Sequence, residues 1–237
     1  MRHISCSIGL LLVFMLFPFA AGSTGSAHSR VLTARSWTGA VTVTIRAFPE
    51  GTGDNGTRWE HRIKKTVRWY GSFTPYKGRL LVHGWKMTTG RAVGEIDDEA
   101  FEVASGTKTR STLQGRETVD LGKLIQFDAA LDSVTFALGS DGSYTLQVPE
   151  LKIKAASTTY EPNNPKTVLE GPTVNTHTIP GARLWGLPHS SAGTVLSGTR
   201  TFKAMVFGAA GDGTMLDVVV DWKIASGAPL APLKPIR

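Results

Sequence analysis

Thr57-Arg58-Trp59-Glu60-His61-Arg62-Ile63-Lys64-Lys65-Thr66-Val67-Arg68-Trp69-Tyr70 separates into two faces at a period of two. Trp59, His61, Ile63, Lys65, Val67 and Trp69 share one face, and Arg58, Glu60, Arg62, Lys64, Thr66 and Arg68 share the other. Alternation of this kind is the mark of a half-buried β-strand, because successive side chains of a strand leave on opposite sides. One face packs and the other stays wet. Trp59 and Trp69 are expected to hold the strand against a core.

Upstream, Val41, Val43, Ile45 and Ala47 alternate with Thr42, Thr44, Arg46 and Phe48, so a second strand precedes the first. Between them, Pro49 to Gly56 holds Gly51, Gly53 and Asn55-Gly56, which turns the chain back. The two strands are predicted to form a long antiparallel hairpin. Asn55-Gly56-Thr57 also fits the N-glycosylation pattern, but Asn-Gly is better explained as turn chemistry.

Downstream, Arg79 to Met87 is a further strand candidate. Gly94 to Val103 reads as a strand pair or an acidic loop around Asp97-Asp98-Glu99, and a Thr, Ser and Gly-rich stretch runs from there to about Gly122. Ser133 to Leu138 and Tyr144 to Val148, joined through Asp141-Gly142, form a second hairpin. Leu151 to Ala155 extends it past Pro149 as an edge or a new strand. Residues 157–193 hold five prolines and show no helical period, so they are expected to be a long irregular segment. Thr199 to Phe207 and Thr214 to Ile224 form a last hairpin, and a Pro-rich tail occupies 227–237. The first and last hairpins share turn chemistry and a closing Trp, which fits either coincidence, since any two hairpins share turn chemistry, or a loose duplication with matched strands on facing sheets.

About ten strand candidates, Gly-containing turns and no helical pattern predict an all-β fold, an antiparallel β-sandwich, with a closed β-barrel as the alternative. An outer-membrane barrel fits less well, since aromatics are only 8% of the chain, thin for two aromatic girdles.

Residues 1–27 have the form of a signal peptide: Arg2 near the start, an uncharged apolar run from Ile4 to Ala21, then small residues. Gly22 and Ala27 both end small-x-small cleavage sites, and Ala27 is preferred. The expected product is one all-β domain over 28–226, secreted or periplasmic, with no transmembrane span after cleavage. Cys6, the only cysteine, lies inside the leader, so the mature chain has no thiol and no cysteine metal ligand. With Arg2 removed, 25 basic residues stand against 19 acidic ones, a net charge of +6. The expected partners of such a surface are anionic, an acidic polysaccharide or an envelope surface first, with nucleic acid disfavoured.

Catalytic patterns are absent or uninformative. No Gly-x-Ser-x-Gly precedes a helix, and His189-Ser190-Ser191 is better read as a solvated loop than as part of a triad. His83, His177, His189 and Asp97-Asp98-Glu99 lack metal-ligand spacing. Asp128, Asp132, Glu95, Glu102 and Glu150 offer carboxylates, but nothing selects a pair for glycoside hydrolysis. No cofactor and no metal are expected. The candidate binding residues are Arg58, Arg62, Lys64 and Arg68, which rise from one strand face at about 6 to 7 Å per two residues, near the charge spacing of an extended polyanion. The expectation is therefore an exported, non-catalytic binding or assembly protein. A hydrolase with its site on 157–193 and a structural subunit pairing by strand addition are the alternatives.

Overall fold

The computed structural model describes residues 36–76, 84–123, 133–189, 194–209 and 213–227. The predicted signal peptide, most of the tail, His83, Asp128 and Asp132 lie outside them. The described chain is all-β: β1 (Trp37–Ala47), β2 (Glu50–Thr52), β3 (Arg58–Tyr76), β4 (Gly84–Ala104), β5 (Thr107–Asp120), a 3-10 turn (Leu121–Lys123), β6 (Thr135–Leu138), β7 (Ser143–Val148), β8 (Leu151–Glu161), β9 (Asn164–Ile179), β10 (Ala182–Pro188), β11 (Val195–Phe207) and β12 (Gly213–Ser226). Every pairing is antiparallel, and the sheet is open, not closed into a barrel. No helix among the described residues is long and apolar enough to cross a membrane.

The hairpin anticipated from Thr57 to Tyr70 is its centre. Ala47 lies opposite Ile63 and Trp37 opposite Phe73, so β1 and β3 stay in register over eleven residues. The turn before β3 is closed locally: the Asn55 carboxamide accepts the Thr57 N–H at 3.0 Å, and Gly56 takes φ +77°. Trp69 is buried as expected. Trp59 instead lies over Gly51 of β2 and against the His61 ring, 4.9 Å between centroids, so it covers a local ribbon.

β4 is 21 residues long and has two sets of neighbours on the side away from β3. Gly84–Lys86 pairs with β6, leading to β7 and β10, while Arg91–Ala104 pairs with β5, leading to β8 and β9. The fork coincides with a corner in the β3–β4 ribbon. Gly71 lies opposite Gly90, and the register shifts between Ser72 and Phe73. A Cβ on Gly71 would lie 1.8 Å from the Thr89 carbonyl oxygen, and one on Gly90, at φ +119°, 2.0 Å from that of Tyr70. Only glycine lets the two backbones approach this closely.

Past the corner the sheet doubles over its own core. Phe136 of β6 stacks on Trp85 at 5.1 Å and meets Trp37 and Phe73 edge-on at 5.3 and 5.2 Å. Trp222 of β12 donates its indole N–H to the Tyr144 hydroxyl of β7 at 2.6 Å. Beyond the fork, Gly94 of β4 leaves room for Ile153 and Leu151 of β8.

Several expectations are corrected. Gly94 to Val103 is neither a strand pair nor an acidic loop but the second half of β4. The Thr, Ser and Gly-rich stretch is β5. Residues 157–188 are mostly strand, the end of β8 followed by β9 and β10. Of the two readings for Leu151 to Ala155 the new strand holds: these residues open β8, which pairs with β9 and, further along, with β5. The first and last hairpins do not sit on facing sheets, because β1 pairs directly with β12 from Trp37–Ser226 to Ile45–Val218.

Candidate functional site

The four predicted binding residues all lie on the outer face of β3, where acids of β2, β3 and β4 stand against three of them. Arg62 lies opposite Glu99 in the register and 3.6 Å from its carboxylate, and Lys64 is 3.8 Å from Asp97. Arg58 stands 3.7 Å from Glu60 and 4.0 Å from Glu50 of β2. On the far side of Glu99, Arg110 of β5 donates to it at 2.5 and 3.1 Å. Four cations therefore meet four carboxylates in a ladder across the sheet. Pairs so exposed are each worth about 0–1 kcal/mol, and their fields largely cancel at a distance. The Arg58 and Arg62 side chains still keep 65% and 63% of their surface exposed. Arg68 is half-buried two rungs further on, opposite Val93 of β4 and Thr42 of β1. Aromatic rings extend the row: Phe101 lies under Lys108 at 4.5 Å and Arg62 at 5.9 Å, and Tyr160 under Arg110 at 4.9 Å.

The packing face holds a charge that alternation alone placed there. Lys65 is 2% exposed and its ammonium lies 3.0 Å from a carboxylate oxygen of Asp98, which is fully buried. The other Asp98 oxygen accepts the Lys64 backbone N–H at 2.9 Å, and Lys65 Nζ also donates to the Phe207 carbonyl at 2.5 Å. Burial raises the Asp98 pKa above the ordinary carboxylate range, against the opposing pull of Lys65. Lys65 lines a cavity of about 560 Å³ together with Glu150, His177, Met205 and Phe207. Burial, and then the nearby Lys65 charge, lower the His177 pKa, so the ring is neutral at pH 7. The signal for this group was in the sequence as a lysine among apolar residues; its acid partner lies 33 positions away and was not visible.

The remaining candidates do not converge. Among the described residues no group of three His, Cys, Asp or Glu side chains is placed to hold a metal ion. Glu95 lies opposite Arg116 and Glu102 opposite Thr109, both on β4. Glu150 is exposed at the β7–β8 corner. His177 is on β9 and His189 just after β10, so the premise of an irregular loop carrying a hydrolytic site is replaced by paired strands.

The sheet also presents edges. Among the described residues β9 pairs with β8 alone and β11 with β12 alone. β9 carries Pro165 and Pro172, and its register against β8 shifts repeatedly. Such features discourage further pairing. β11 has none of them. It runs thirteen residues in unbroken register, Val195–Ala225 to Phe207–Gly213, without proline or bulge. Met205 and Phe207 near its end are exposed, as is Met215 opposite Met205. The chain matches no protein-family model, no curated protein and no solved structure.

Proposed function

We propose that this is an exported, non-catalytic assembly protein of the cell envelope or extracellular space that associates by strand addition along β11, with a second copy of the chain as partner. The observation that carries the reading is the thirteen-residue edge of β11, which among the described residues pairs with β12 alone, in unbroken register and without proline, while β9, which pairs with β8 alone, carries two prolines and a shifting register. An edge strand offers a row of backbone donors and acceptors that another strand satisfies.

Self-pairing about a two-fold axis at Thr201 gives an acceptable register. Val195 then meets the second copy's Phe207, Arg200 meets Phe202, and Lys203 meets Thr199, with no like charges opposed. Sedimentation across a concentration series should show a monomer–dimer equilibrium. Thr201→Lys, at an exposed position, sets two ammonium groups against each other across the axis and should abolish the dimer while leaving the fold intact. Thr173→Lys on β9 should not. A wild-type chain that stays monomeric, or a Thr201→Lys variant that dimerises as before, overturns the reading.

The exposed guanidinium groups of Arg58 and Arg62 support a second reading, contact with an anionic polysaccharide or envelope surface through Arg58, Arg62, Lys64 and Arg68. A folded variant with all four changed to Ser should lose a steep salt dependence of polyanion binding shown by the wild type. Equal binding by both proteins removes this reading.

A further inference from the structure

Lys65 and Asp98 take no part in strand addition or in the cationic face, yet they are arranged for chemistry with each other. They come from neighbouring antiparallel strands, point to the same buried side, and bring Nζ to 3.0 Å from Asp98 Oδ2. The amine is thus held at one oxygen of the carboxyl group, one bond away from the carbon it would attack. The remaining groups are also held. The Lys64 N–H donates to Oδ1 at 2.9 Å, and the Phe207 carbonyl accepts from Nζ at 2.5 Å.

We propose that Lys65 and Asp98 condense to an intramolecular isopeptide bond, joining β3 to β4 through an amide between Nζ and Cγ. The step needs no outside reagent. A proton passes from Nζ to Oδ2 within the ion pair, giving a neutral amine and a neutral acid with the total proton count unchanged. Burial favours that neutral pair, since two charges are harder to keep out of water than none. The Nζ lone pair adds to Cγ, and the displaced electrons gather on Oδ1, where the Lys64 N–H stabilises them. A second proton moves from nitrogen to Oδ2, the Cγ–Oδ2 bond breaks, the carbonyl re-forms at Oδ1 and one water leaves. The adjoining cavity of about 560 Å³ gives that water an exit. Neutral His177, which lines the cavity, is the neighbouring base for the second proton transfer.

The test is the intact mass of the purified chain, with its N-terminus fixed by peptide mapping, after incubation at pH 5 to 8. The expected mass is one water below that of the linear sequence, and trypsin should yield a branched peptide joining the Lys65 and Asp98 segments in place of cleavage after Lys65. Lys65→Arg keeps the charge but supplies no amine nucleophile, so it should have its full linear mass. Asp98→Asn should lose ammonia where the wild type loses water. Succinimide formation at Asp141-Gly142 also removes water; a loss mapped there, or one that persists in Lys65→Arg, overturns the proposal. So does a wild-type chain of full linear mass whose Lys65 peptide is recovered unbranched.

Discussion

Lys65 stands between Ile63 and Val67 on a face whose other members, His61 aside, are apolar, and Asp98, diagonal to it across the ladder, stands between Ile96 and Ala100 on β4. Each makes the other tolerable. Replacing Lys65 by Met leaves a carboxylate alone in the interior, whereas a Lys65→Met/Asp98→Leu double variant removes that charge as well. In urea titrations the double variant should be more stable than Lys65→Met by about 3–5 kcal/mol. His177 carries a different dependence. Its pKa is lower folded than unfolded, so the unfolded chain binds more protons between the two values. Its contribution is complete above the ordinary histidine pKa of about 6.5 and is lost as the pH falls through the folded value. Melting temperatures measured from pH 7 down to pH 5 should decline, and His177→Gln should flatten that decline.

At the level of elements, the Gly71–Gly90 corner turns one long ribbon into two branches. Gly90→Ala meets the Tyr70 carbonyl at 2.0 Å in a positive-φ conformation, and it should destabilise by about 3 kcal/mol or more. Gly56→Ala also has positive φ but opens onto free space, and should lose only about 1 kcal/mol. Denaturant titrations of the two variants make the comparison. The strands legible in the sequence were those with one dry face: β1 with β3, β6 with β7, and β11 with β12 all alternate and are joined by Gly-containing turns. β9 was not legible, because Asn164 to Thr176 is exposed on both faces and no alternation can arise where no core exists. Most of β5 is wet too, with Leu113 its only buried large apolar residue. β4 was hidden for another reason. Asp97-Asp98-Glu99 resembles a loop until Lys64, Lys65 and Arg62 are set beside it, and that register is non-local. The same non-locality explains why the wet cations of β3 were found and their partners were not.

Across the whole molecule, the two layers are joined by the Trp222–Tyr144 hydrogen bond as well as by apolar contact. Trp222→Phe keeps most of the ring but drops the donor, and should lower stability by about 1 kcal/mol. The order of strands matters more. β12 lies between β1 and β11, so strands nearly the length of the described chain apart must find one another. Loop closure over such separations is slow, and stopped-flow refolding should take milliseconds to seconds. Truncation after Phe207 should leave no cooperative unfolding transition, since β1 and β11 both lose their shared neighbour. During synthesis, β1 and β3 can pair early, but one flank of β1 stays unsatisfied until β12 has been made. The nascent chain thus carries an open invitation along its first strand for most of its own translation. A chaperone or a translocation channel that recognises extended, unfinished strands would find it waiting, and the arrival of the last strand would end the encounter.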